Sequence, residues 1–115
     1  MQYLVMIYSS EAEESKMPPA EMGKMMQAYG AYSDALVKAG VMQGGNRLRP
    51  ITDATSVRVR NGKTEVLNGP YAETREQLGG YYLIDVPDLD AALSWAARCP
   101  SSAHGTIEVR PIWVL

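Results

Sequence analysis

The sequence is short of almost everything that declares a chemistry outright. It contains no phenylalanine, one cysteine and one histidine in 115 residues. A lone Cys99 excludes an internal disulfide, which agrees with a reducing compartment. Cys99 and His104 together fall short of the donors that a usual zinc site needs, so no metal or other cofactor is expected. Glycine-rich phosphate loops are missing as well. "QGGN" at 43–46 and "QLGG" at 77–80 have neither the spacing nor the Lys-Ser/Thr that follows it. An excess of one charge is also missing: 11 basic against 13 acidic side chains give a formal net charge of −2. The basic residues are scattered, which argues against nucleic acid as a partner. The longest apolar run, "YLVMIY" at Tyr3–Tyr8, is far shorter than the ~18 residues of a membrane span. The expectation is a cytoplasmic protein with no membrane partner.

What is present fits an ordinary globular chain, 46% hydrophobic and 21% charged. Its length suits a single domain over 1–115. Tyr3–Tyr8 is apolar at both parities, the mark of a central strand covered on both faces. Pro18-Pro19 suits the first turn of a helix, where a missing N–H costs nothing. Met22, Met25, Met26, Tyr29, Tyr32 and Leu36 then recur at helical spacing, and Gly40 stops the run. The methionines read as core packing in preference to a pliable binding surface. Val57 and Val59 alternate with Arg58 and Arg60, and Asn61-Gly62 turns the chain into Lys63–Leu67, a strong hairpin signal. Arg47, Arg49, Arg58 and Arg60 read as a solvated edge.

"YYLIDV" at 81–86 is a further strand. Asp88 then caps a helix carrying Leu89, Ala92, Leu93 and Ala96 up to Pro100. Thr106–Arg110 alternates as the last strand. The order strand, helix, hairpin, strand, helix, strand fits an α+β, ferredoxin-like sandwich with an added β-hairpin. Right-handed crossovers place both helices on one sheet face. The opposite face is then left bare, yet the strand is apolar at both parities, Tyr3, Val5 and Ile7 as well as Leu4, Met6 and Tyr8. The economical cover is a second copy of the chain, a homodimer through the sheet face.

On the last strand, period two puts His104, Thr106, Glu108 and Arg110 on one face and Ile107 and Val109 on the other. The polar four therefore point to the covered face, a setting suited to a small polar or anionic ligand. Histidine is the side chain that ordinarily changes charge near neutral pH. His104 is a candidate acid/base if Glu108 or Glu73 orients it, and otherwise a residue satisfied by backbone at a strand start. Arg110 suits a bidentate clamp on a carboxylate, or an ion pair with Glu108 or Asp85. Tyr71, Tyr81 and Tyr82 line a pocket or fill the core. Cys99, near a helix C-terminus, makes a poor nucleophile.

Residues 68–80, "NGPYAETREQLGG", are long for a connection between strands, which usually takes ~2–5 residues. Gly69-Pro70 turns the chain and Gly79-Gly80 releases it. Glu73, Arg75 and Glu76 ride between, either over a cavity mouth with Glu73 toward His104 or out in solvent.

The combination of Gly69-Pro70 with "ETREQLGGYYLIDVPD" at 73–88, together with "QYLVMIY", "KAGVMQGG", "TSVRVRNGK" and "HGTIEVRPI", resembles the YCII-related family in its DGPF branch. The likeness runs over essentially the whole chain. It implies a dimeric α/β barrel, two ferredoxin-like chains pairing through their sheets. Members of that branch often occur beside genes for alternative sigma factors, which implies a regulatory module. A more distant branch holds dehydrochlorinase-like enzymes and implies a His/Asp acid–base pair. Here the branch motif reads Asn68-Gly69-Pro70-Tyr71. Asn68 and Tyr71 therefore inherit a binding role without a charge at position 68, since an amide cannot act as a base.

Overall fold

The computed structural model describes residues 1–115. Strand β1, Gln2–Ser9, alternates between buried Tyr3, Val5, Ile7 and Ser9 and half-buried Leu4, Met6 and Tyr8. It is central to a four-stranded sheet. Beyond it come the short helix α1, Glu11–Glu14, the long helix α2, Pro19–Lys38, and strand β2, Met42–Arg47. Strands β3, Thr55–Arg60, and β4, Lys63–Asn68, form the hairpin; β5, Gln77–Asp85, α3, Leu89–Arg98, and β6, Thr106–Pro111, complete the chain. The sheet order is β2-β5-β1-β6, with every neighbour antiparallel. This is the ferredoxin-like arrangement, and the hairpin is an insertion between its second and third strands.

The local signals act where they stand. Pro18 and Pro19 open α2, and Gly40 ends it with φ at +72°. The Asp88 side chain accepts the Ala91 N–H at 2.9 Å at the start of α3. Asn61 and Gly62, with φ of 52° and 74°, make the tight turn of the hairpin.

Three expectations need correction. A strand at Met42–Arg47 was not legible, because Gly44 and Gly45 suppress the β signal. Gly45 is nonetheless required, since a Cβ there would lie 2.8 Å from the Tyr81 carbonyl oxygen. The presumed 68–80 connection is shorter than expected, because β4 runs to Asn68 and β5 begins at Gln77. Leu89 and Leu93 are about half exposed, and α3 buries Ala92 and Ala96 instead.

One parity of the sheet packs on the helices: Tyr3, Val5, Ile7, Tyr82 and Ile84 meet Tyr32 and Leu36 of α2 and Ala92 and Ala96 of α3. The Tyr32 ring stands edge-on to Tyr82 at 5.4 Å, and its hydroxyl donates to the Trp95 carbonyl at 2.8 Å. The other parity, with Leu4, Met6, Tyr81 and Leu83, has nothing packed over it. The hairpin stands clear of the frame, with Val57, Val59 and Val66 exposed. Accessible surface totals 8248 Å², whereas a compact monomer of 12.6 kDa exposes ~6,200 Å². The radius of gyration is 16.2 Å, against ~13 Å for a compact domain of this length. No helix is long and apolar enough to cross a membrane.

Candidate functional site

Only the C-terminal half of α2 packs tightly on the sheet, through Tyr32 and Leu36. The N-terminal half faces the glycine end of β5 and β2. Gly80 has the helix-facing parity of Tyr82 and Ile84 but offers no side chain, so β5 contributes nothing toward the helix at that position. The result is a cavity of about 830 Å³ between α2 and the sheet, within the size range of small-molecule sites. Its apolar wall is Met22, Met25, Met26 and Tyr29, one stripe of α2. The expected core methionines are therefore cavity lining. Thioethers on flexible stems suit a wall that must fit varied apolar shapes.

Polar groups gather at the far end. The Glu11 carboxylate accepts the Ile51 N–H with both oxygens at 3.2 Å, and the Glu11 N–H donates to Gln77 Oε1 at 2.9 Å. These bonds tie α1 to the segment after β2 and close that end. The Tyr29 hydroxyl is hydrogen-bonded to Ser101 Oγ and lies 3.6 Å from Cys99 Sγ. Burial holds the Tyr29 hydroxyl well above the usual phenol range and pushes the Cys99 thiol up as well. Both stay neutral near pH 7, so this end offers hydroxyl donors and acceptors and no thiolate. Tyr82 lines the same cavity, and its hydroxyl shares a 2.7 Å hydrogen bond with Ser33 Oγ. Burial raises its pKa too.

His104 is not part of this lining but stands next to one of its residues. It does not begin the last strand. It caps the 3-10 turn Pro100–Ala103, and β6 starts at Thr106. Its Nε2 is 4.0 Å from Glu14 Oε1, and Glu14 lines the cavity. That separation is ion-pair range and beyond a hydrogen bond, with the imidazole still 40% exposed. The neighbouring carboxylate is therefore Glu14, which sequence reasoning did not single out.

The remaining candidates lie elsewhere. Glu108 and Arg110 pair in register with Met6 and Leu4 and share the bare sheet face with them, away from the cavity. Asn68 ends β4 opposite Thr55 and is exposed. Tyr71 and Glu73 are exposed in the following loop. The loop carboxylate that reaches β6 is Glu76, whose Oε1 accepts from Thr106 Oγ1 at 2.8 Å. Within one chain the expected set is thus divided among three places. Tyr82 lines the cavity and His104 stands outside that lining, beside Glu14; Glu108 and Arg110 are on the bare face, and Asn68, Tyr71 and Glu73 are on the hairpin and its loop. Glu14, Tyr29, Ser101 and Arg47 line the cavity and were not singled out for it. The only signal for them was the coincidence of a methionine stripe with glycines in two strands. No three His, Cys, Asp or Glu side chains converge in a way that would hold a metal ion.

A relative from Rhizobium meliloti (strain 1021), described as an uncharacterized protein, is 41% identical over 115 positions. The match covers 97% of this chain and 92% of the relative. The family model described as YCII-related domain matches residues 1–115, and the chain belongs to that family.

Proposed function

We propose that the protein is a homodimer that binds a small molecule in the cavity beneath α2. His104 supplies lyase- or isomerase-type acid–base chemistry there, with Glu14 as the carboxylate that orients it. The observation that carries this reading is the cavity itself, an apolar methionine wall facing a polar end where Tyr29, Ser101 and Glu14 converge. Glu14 stands 4.0 Å from His104 Nε2, close enough for a bound ligand to draw the pair into a hydrogen bond. The dimer is supported by the bare apolar sheet face and by the surface that the chain exposes beyond a compact monomer. Glu108 and Arg110 then belong to the space between the two sheets and not to the cavity. Glu73 becomes a candidate for closing over that space from the loop.

A thermal-shift screen of the wild type and His104→Ala against small metabolites tests the assignment. A ligand at 100 times its Kd adds ~2.7 kcal/mol of stability. The expected result is a stabilising compound whose effect is weakened in His104→Ala. A compound that stabilises both proteins equally would remove His104 from the site. The second reading is a non-catalytic interaction or regulatory module, of the kind linked to sigma-factor control. It is favoured by the exposed Val57, Val59 and Val66 on one face of the hairpin. Absence of any stabilising compound would favour it.

A further inference from the structure

The charges around the cavity are not equivalent. Arg49 Nε already donates to Asp53 Oδ2 at 2.9 Å. The Glu11 carboxylate is occupied by the Ile51 N–H, and Glu14 faces His104. Arg47 differs from all of them. It lines the cavity and makes no ion pair, and its guanidinium Nη1 points to Met26 Sδ at 3.6 Å. A thioether is a weak acceptor. A guanidinium carries five donors in a planar fork whose natural complement is a carboxylate. Arg47 is thus turned over the cavity mouth against a partner that a stronger acceptor would readily replace.

From this we infer that the ligand of the cavity is an amphipathic anion. Its carboxylate lies on Arg47, and its apolar body lies along Met22, Met25 and Met26. This deepens the proposed function and rests on its reading that the cavity is a binding site. Positions support the orientation. Arg47 ends β2 at one edge of the sheet, and Ser101 precedes β6 at the other. Three strand spacings, roughly 14 Å, separate those edges. A ligand anchored at Arg47 therefore extends under the methionine stripe and presents its uncharged end to Tyr29, Ser101 and the Glu14–His104 pair. The carboxylate is the anchor and the distal end is where proton chemistry takes place. The opposite orientation would set the anion beside Glu14.

Isothermal titration tests the assignment, using straight-chain and arylalkyl monocarboxylates, each paired with its own primary amide. Shape and apolar area are matched within each pair, so the difference reports the charge. A hydrogen bond to a charged group contributes enough for a preference of about tenfold or more for the acid. Arg47→Gln should erase that preference. Arg49→Gln should keep it, because Arg49 is already paired. Circular dichroism and the melting curve of Arg47→Gln verify that the fold is unchanged. Equal binding of acid and amide by the wild type, a preference that survives Arg47→Gln, or no binding of any acid would each overturn the assignment. The two readings fail differently. A neutral compound that binds the wild type and is excluded by Met25→Trp, which puts a bulkier side chain into the cavity wall, leaves the cavity reading standing and removes only the anion. If no compound of any charge binds, both readings fail.

Discussion

Leu83 offers the sharpest test of how the chain exists in solution. It pairs with Leu4 across β5 and β1, on the sheet face that has no helix over it. The chain exposes 8248 Å², ~2,000 Å² more than a compact monomer of its mass. If half of that excess belongs to the free-standing hairpin, ~1,000 Å² per chain still remains. That is more than the ~800 Å² per partner of a standard interface. A two-fold pair would bring Leu83 into the middle of the covered area. Leu83→Glu would then place an unpaired carboxylate in an apolar interface at a cost of roughly 3 kcal/mol or more, a loss of at least about 100-fold in dimer affinity. Sedimentation equilibrium over a wide range of protein concentration reads this directly. The melting temperature of the wild type should also rise with protein concentration, because association stabilises only the folded chain. The expected result is a dimeric wild type and a monomeric, less stable Leu83→Glu. A monomeric wild type with a concentration-independent melting temperature would refute the reasoning, as would a variant that dimerises as well as the wild type.

Two further outcomes follow from the packed half of the molecule. Leu36 of α2 is fully buried, so Leu36→Ala should cost about 2–5 kcal/mol in urea unfolding; a loss well under 1 kcal/mol would mean that α2 is loosely docked along its whole length. The second outcome concerns alkaline pH. Burial raises the pKa of Tyr29, Tyr32, Tyr82 and the Cys99 thiol, so the folded chain keeps protons that the unfolded chain releases. Their contribution is intact below the ordinary values, about 8.5 for a thiol and about 10 for a phenol, and is lost as pH rises through the folded values. Melting temperature should therefore fall progressively above about pH 9 to 10, and Tyr29→Phe should fall less steeply. A flat alkaline profile for the wild type would contradict the burial of these hydroxyls.

The frame was readable because its signals are local. Pro18-Pro19, Gly40, Asn61-Gly62 and Asp88 each act within one turn of their own position, and the apolar, β-rich runs Tyr3–Tyr8 and Tyr81–Val86 declare strands without long-range help, although both of their parities are apolar and neither marks the helix face. The edge strand β2 was hidden, because Gly44 and Gly45 are there for the close approach of β5, a requirement that lies in another part of the chain. The site was the least legible part for the same reason. Its geometry arises where the side chains of Met22, Met25 and Met26 stand above a glycine that contributes none, and absence of atoms leaves no pattern in a periodicity. His104 was singled out for its chemistry alone. Its partner was misassigned, because period two was extended two residues beyond the true start of β6 and α1 was not foreseen.

The hairpin Thr55–Asn68 is hydrogen-bonded to itself and to its own stalk, where Gly69 N–H meets the Ala54 carbonyl and Ser56 Oγ meets that of Gly69. The four-stranded frame closes without it. The strands of the frame are bound in length by the partners they pair with, while the hairpin ends in solvent and answers only to its own turn. It is the part of the chain that can lengthen, shorten or carry foreign sequence while the register of β1, β5 and β6 stays unchanged.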